Sequence, residues 1–86
     1  MEIFYSPSFK RAYKKLPDDL KDAAEDKELI FRRDPFDKRL KTHALKGRLK
    51  GLFSFSIDAK HRVIFEFSSD MKEAIFHIVG NHNIYK

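Results

Sequence analysis

The run Leu52-Phe53-Ser54-Phe55-Ser56-Ile57 and, past the gap at Asp58-Ala59-Lys60, the run Arg62-Val63-Ile64-Phe65-Glu66-Phe67 decide the fold. In the first, Phe53, Phe55 and Ile57 share one face while Ser54 and Ser56 share the other. In the second, Val63, Phe65 and Phe67 alternate with Arg62, Ile64 and Glu66. A period of two is that of a half-buried strand, and a turn-length gap between two such runs predicts a β-hairpin. Downstream, Ser68 to Lys72 reads as a second turn and Ala74 to Val79 as a third strand closed by Gly80. Three strands joined by short turns form an antiparallel meander.

Upstream the period changes. Ile3, Phe4 and Tyr5 form a short β-prone run stopped at Ser6-Pro7. Ser6 suits a helix N-cap with Pro7 in the first turn, and Phe9, Ala12, Tyr13 and Leu16 follow at helical spacing. Pro17 cannot continue that helix. Asp18 is placed to cap a second one, whose stripe of Leu20, Ala23, Ala24, Ile30 and Phe31 is interrupted by Lys27, and Asp34-Pro35 ends it. The expected order is β-α-α-β-β-β, an α+β fold with an antiparallel sheet and an N-terminal helical hairpin on one face. The helices must cover the phenylalanine-rich face, which would otherwise be an exposed apolar patch. The opposite face, with Ser54, Ser56 and Arg62, is expected to stay open.

At 86 residues the chain is long enough for one core and too short for two, so residues 1–86 are read as a single domain. Cysteine is absent, which removes disulfides, thiolate metal sites and a cysteine nucleophile. Met1 to Tyr5 contains no basic leader before an apolar core, and no run approaches the ~20 apolar residues that span a bilayer. No membrane association is expected, and a cytoplasmic location is.

Charge is unevenly placed. Between Arg32 and Lys50 eight basic residues face two acids, a local balance of +6 in a chain whose total is +5, so the remainder carries −1. The segment has no sustained period and reads as a basic loop, either a solvated surface loop or the footprint of a polyanionic partner, nucleic acid or an acidic protein segment.

Four histidines are present: His43, His61, His77 and His82. None belongs to an HExxH pattern, and no carboxylate cluster accompanies them, so no metal and no cofactor is expected. His77, between Phe76 and Ile78, reads as a structural histidine, and His61, at a turn, as a solvated one. His43 lies in the basic loop and His82 directly follows Gly80-Asn81. Both stand at element boundaries, where functional side chains collect. Two imidazoles and a guanidinium suit metal-free RNA cleavage: a base for the ribose 2′-OH, an acid for the departing 5′-oxygen, and a cation such as Arg62 for the charge on phosphorus.

Three stretches in combination carry a resemblance: Lys41-Thr42-His43-Ala44-Leu45-Lys46-Gly47-Arg48-Leu49-Lys50-Gly51-Leu52-Phe53-Ser54-Phe55-Ser56-Ile57, then His61-Arg62-Val63-Ile64-Phe65, then Gly80-Asn81-His82-Asn83-Ile84-Tyr85. Together they resemble the RelE/ParE superfamily of toxins from type II toxin–antitoxin systems, of the RelE, YafQ and YoeB type. The resemblance spans the whole chain. It implies an mRNA interferase, a metal-independent endoribonuclease that cuts messenger on the ribosome by 2′-OH attack. The family's general base would fall on His43, its phosphate-stabilising arginine on Arg62 and its C-terminal general acid on His82. Lys41, Lys46, Arg48 and Lys50 would hold the RNA backbone, and Tyr85 would stack on a base or orient the phosphate. YoeB-like members put the aromatic directly after that histidine, whereas Asn83 and Ile84 intervene here. The implied partners are mRNA on the ribosome and a cognate antitoxin, acidic and partly disordered until bound. The alternative within the fold is a ParE-like inhibitor of DNA gyrase with no catalytic groups of its own. The paired histidines favour the nuclease.

Overall fold

Ser6 joins the first strand to the first helix. In a computed structural model of the protein, which describes residues 1–85, strand β1 spans Glu2–Tyr5 and helix α1 spans Pro7–Lys14. The Ser6 hydroxyl oxygen accepts from the Phe9 amide at 3.0 Å and its proton is donated to the His77 carbonyl at 2.8 Å. One side chain therefore caps the helix and ties its start to the sheet. Helix α2 spans Asp18–Arg33. Its N-cap is Pro17 rather than Asp18, and no side chain caps it. Asp18 and Asp19 lie instead in the first turn and Arg32 and Arg33 in the last, the charge order the helix dipole favours.

The sheet contains β1, β2 (His43–Ala44), β3 (Phe53–Ser56), β4 (His61–Phe67) and β5 (Glu73–Asn81), in the spatial order β1-β5-β4-β3-β2. The meander β3-β4-β5 is antiparallel as expected. β1, however, runs parallel to β5, with Ile3 opposite Ala74, so the sheet is mixed rather than wholly antiparallel. It occupies the side of β5 that the meander leaves unpaired, which would otherwise be a nine-residue open edge. The basic segment also holds more structure than the loop expected there. It makes two short 3-10 turns, Lys38–Leu40 and Gly47–Leu49, and the two-residue strand β2, too brief to leave a periodic signal.

Phenylalanines dominate the core between helices and sheet. Phe31 of α2 is fully buried, with its ring 4.9 Å from Phe65, 5.2 Å from Phe76 and 5.3 Å from Phe55, centre to centre. Burying such a ring contributes roughly 1.5–3 kcal/mol, and each favourable ring pair about 0.5–1.5 kcal/mol more.

The opposite face is not open along its length. Ser54 and Ser56 are 0% and 8% exposed, and Ile64, outside the main core, is 2% exposed. The cause lies after β5, where the chain enters a 3-10 turn, His82–Tyr85, and folds back over this face. Ile84 packs on Gly80 and the Tyr85 hydroxyl reaches Ser54. Alternation showed which residues share a face, but nothing local announced that a second layer would cover Ser54.

Candidate active site

Ladder register places the residues. His43 of β2 is opposite Ser54 of β3, and Ser54 is opposite Ile64 of β4. Two residues further along, Ser56 is opposite Arg62, and Arg62 is opposite Gly80 of β5. Directly opposed residues share a face, so His43, Arg62 and Gly80 all belong to the face away from the helices. With strands about 4.8 Å apart and two residues spanning about 6.7 Å, the Cα atoms of His43 and Arg62 are roughly 12 Å apart in the sheet. His82 begins the turn immediately beyond Asn81, the last residue of β5.

His43 is exposed, and its Nδ1 lies 3.1 Å from the Lys41 carbonyl oxygen. A carbonyl only accepts, so in the neutral imidazole Nδ1 carries the proton and Nε2 is left with the lone pair. The carbonyl is aimed there because Lys41 adopts a left-handed conformation, φ 54°, which costs a non-glycine residue about 1–2 kcal/mol.

Arg62 forms no ion pair with Asp58 or Glu66, the acids on either side of it in the sequence. One terminal nitrogen of Arg62 donates to the main-chain carbonyls of Asp58, at 2.7 Å, and His61, at 3.1 Å. Glu66 instead meets His77 Nε2 at 2.6 Å, and Asp58 meets His61 Nδ1 at 3.0 Å. His77 thus has the satisfied structural role expected, whereas His61, read as solvated, is partnered. The Asp58 carboxyl lies below its ordinary range: partial burial pushes the other way, but hydrogen bonds from the Lys60 amide and from the His61 side chain and amide outweigh it. Among the described residues, Arg62 has no carboxylate partner and its remaining donors are unused.

Lys41, Lys46, Arg48 and Lys50 are exposed along the segment that carries β2, and none is ion-paired among the described residues. Gly47 and Gly51, at φ 66° and 95°, supply the left-handed corners that bracket Arg48 and Lys50. Arg39 is engaged by Asp37 at 3.0 Å, and their hydrogen bonds lower that carboxyl to about 2. Tyr85 is half-buried, its hydroxyl 2.7 Å from Ser54 Oγ. Reading the sequence missed Ser54 and Gly80 as anchors of the turn. Gly80 is legible there only as a strand terminator.

An apolar cleft of about 400 Å³ opens between α1, α2 and the sheet, lined by Phe9, Tyr13, Phe55, Val63 and Phe76. It lies on the helix side, and none of the three candidate catalytic residues borders it.

No family model and no curated protein matches the sequence. Solved structures do match. The YoeB/ParE toxin from Agrobacterium tumefaciens superimposes with a TM-score of 0.80 at 22% identity, covering 95% of this chain and 99% of that one. YafQ from E. coli gives 0.75 at 22% identity, covering 98% and 96%. A heterotetrameric YoeB–YefM toxin–antitoxin complex from Staphylococcus aureus contains a match of 0.76 at 19% identity, covering 95% and 97%. At these identities the likeness is one of fold, and the fold is that of the RelE/ParE toxins.

Proposed function

We propose that this chain is the toxin of a type II toxin–antitoxin pair and a metal-independent endoribonuclease that cuts mRNA on the ribosome. The reading rests on the shared toxin fold together with the chemistry of His43, Arg62 and His82. Nε2 of His43 takes the proton of a ribose 2′-OH. The 2′-oxygen then attacks phosphorus, Arg62 neutralises the charge on the non-bridging oxygens, and His82 protonates the departing 5′-oxygen. The products are a 2′,3′-cyclic phosphate and a free 5′-hydroxyl. Imidazoles, with an ordinary pKa near 6.5, suit both proton transfers at neutral pH. Lys41, Lys46, Arg48 and Lys50 hold the backbone of the RNA through phosphate contacts.

The observation that carries this reading is the state of Arg62. A guanidinium fixed by two carbonyls, with no competing carboxylate among the described residues and on the face that bears His43, is prepared for an anion that the protein does not itself supply. Primer extension on translating messenger after induction tests it. Discrete cuts within coding sequence are expected. Intact messenger in cells where the protein is soluble and abundant overturns it, and loss of DNA supercoiling activity in the same cells would point to gyrase inhibition instead.

The partner is an antitoxin of acidic, partly disordered character that folds on binding, a reading supported by the toxin–antitoxin complex among the structural neighbours. Expression of the chain alone is expected to arrest growth, and co-expression of the antitoxin encoded beside it to relieve the arrest.

A further inference from the structure

The turn that carries His82 is attached to the sheet at two points. Each is the ladder neighbour of another residue assigned to the site. The first is Gly80, opposite Arg62. Ile84 approaches it so closely that a Cβ built on Gly80 would lie 2.6 Å from the Ile84 Cγ2 methyl, a separation that real Cβ atoms essentially never show. The second is Ser54, opposite His43. It is fully buried, and its Oγ lies 2.7 Å from the Tyr85 hydroxyl, which has crossed from the end of β5 over β4 to reach β3. The turn is started by a third contact, the Asn83 amide donating to the Asn81 side-chain oxygen at 2.9 Å.

We infer that the Ser54–Tyr85 hydrogen bond, seated on the Gly80–Ile84 contact, is a clasp that sets the position of His82 over the sheet relative to His43 and Arg62. Ser54 and Tyr85 are positioning residues, and Gly80 is glycine because the turn lies where its side chain would be. The physical reason is leverage. His82 is exposed and no hydrogen bond holds its ring among the described residues, so its placement depends on the backbone of a four-residue 3-10 turn, a weakly held element by itself. Fixing the far end of that turn to a fully buried hydroxyl removes its main freedom. Because the docked turn itself covers Ser54, the bond to Tyr85 leaves no polar group of that contact buried without a partner.

This inference rests on the nuclease reading, and its test is arranged so that the two can fail separately. Ser54→Ala, Tyr85→Phe and the double variant are compared in single-turnover cleavage of a ribosome-bound messenger and in amide hydrogen exchange over residues 82–85. With wild-type protein active, each single variant is expected to lower the cleavage rate about tenfold with the concentration for half-maximal rate unchanged. The double variant should lose no more than either single one, because both remove the same bond. Exchange at 83–85 should quicken alike in all three.

Losses that multiply in the double variant, or a large loss from Tyr85→Phe with none from Ser54→Ala, would overturn the clasp and make Tyr85 a direct contact of the RNA. If wild-type protein cuts nothing, the nuclease reading fails and the exchange arm alone decides. Unchanged exchange in Ser54→Ala then refutes the clasp, and quickened exchange confined to the turn upholds it. Gly80→Ala gives an independent check, with the same loosening expected from the opposite anchor.

Discussion

At the scale of single residues, the chemistry turns on which atoms have partners. Arg62 is held by carbonyls through one nitrogen, so replacing it by Ala leaves no buried acid unpaired and, on the nuclease reading, takes away only the charge stabilisation proposed for it. Arg62→Ala is expected to lower cleavage by about 10²–10³-fold, as loss of a preorganised donor does, with the melting temperature little changed. His82→Ala should cost about 10²–10⁴-fold through loss of the general acid. Full activity in both variants would falsify the site. His43→Ala should lower the rate of cleavage and alter its pH profile. An unaltered profile would show that His43 is not the base. The pairing of His43 with the Lys41 carbonyl could not be read from the sequence, because it depends on a left-handed lysine with no glycine to announce it.

At the scale of elements, the β3–β4 turn is held by Asp58, which accepts from the Lys60 and His61 amides at 2.8 and 2.7 Å. Its pKa is lowered on folding, so its contribution to stability is present above the unfolded carboxylate value near 3.9 and is lost as pH falls through the lower folded value. Asp58→Ala is therefore expected to destabilise by about 1 kcal/mol at neutral pH, and the gap from wild type should narrow in thermal melts as the solution is acidified past the ordinary carboxylate range. A gap that persists in acid would mean that the substitution acts through something other than the charged carboxylate.

Elements of strong period were legible: α1, α2, β3, β4 and β5 lie where spacing placed them, within a residue or two. β2 and the C-terminal turn were not. A two-residue strand has no period, and the turn is fixed by contacts to Ser54 and Gly80, 31 positions from Tyr85 and four from Ile84, that no local pattern encodes.

For the molecule as a whole, charge and apolar surface are divided between sides. The apolar cleft opens on the helix side, whereas the face bearing His43 and Arg62 continues into the basic segment. If that segment grips RNA, affinity must fall with salt. Lys46→Gln with Lys50→Gln should flatten the plot of log K against log salt by about 1.4, roughly 0.7 for each single-strand phosphate no longer neutralised. An unchanged slope would place those lysines away from the RNA. The fold class was accessible from pattern because hydrophobic alternation is a property of each strand by itself. The parallel docking of β1 was not, since it joins residues some seventy positions apart, such as Ile3 and Ala74.

That same docking governs when the protein can exist. β5 lies between β1 and β4, so neither the first strand nor the meander is complete until residues 73–81 have been synthesised, and His82 comes later still. Contacts of such long range form slowly and late, and no shorter nascent chain holds all three groups assigned to the reaction. On the nuclease reading, a ribosome making this polypeptide would be spared its action until residue 82 had been translated.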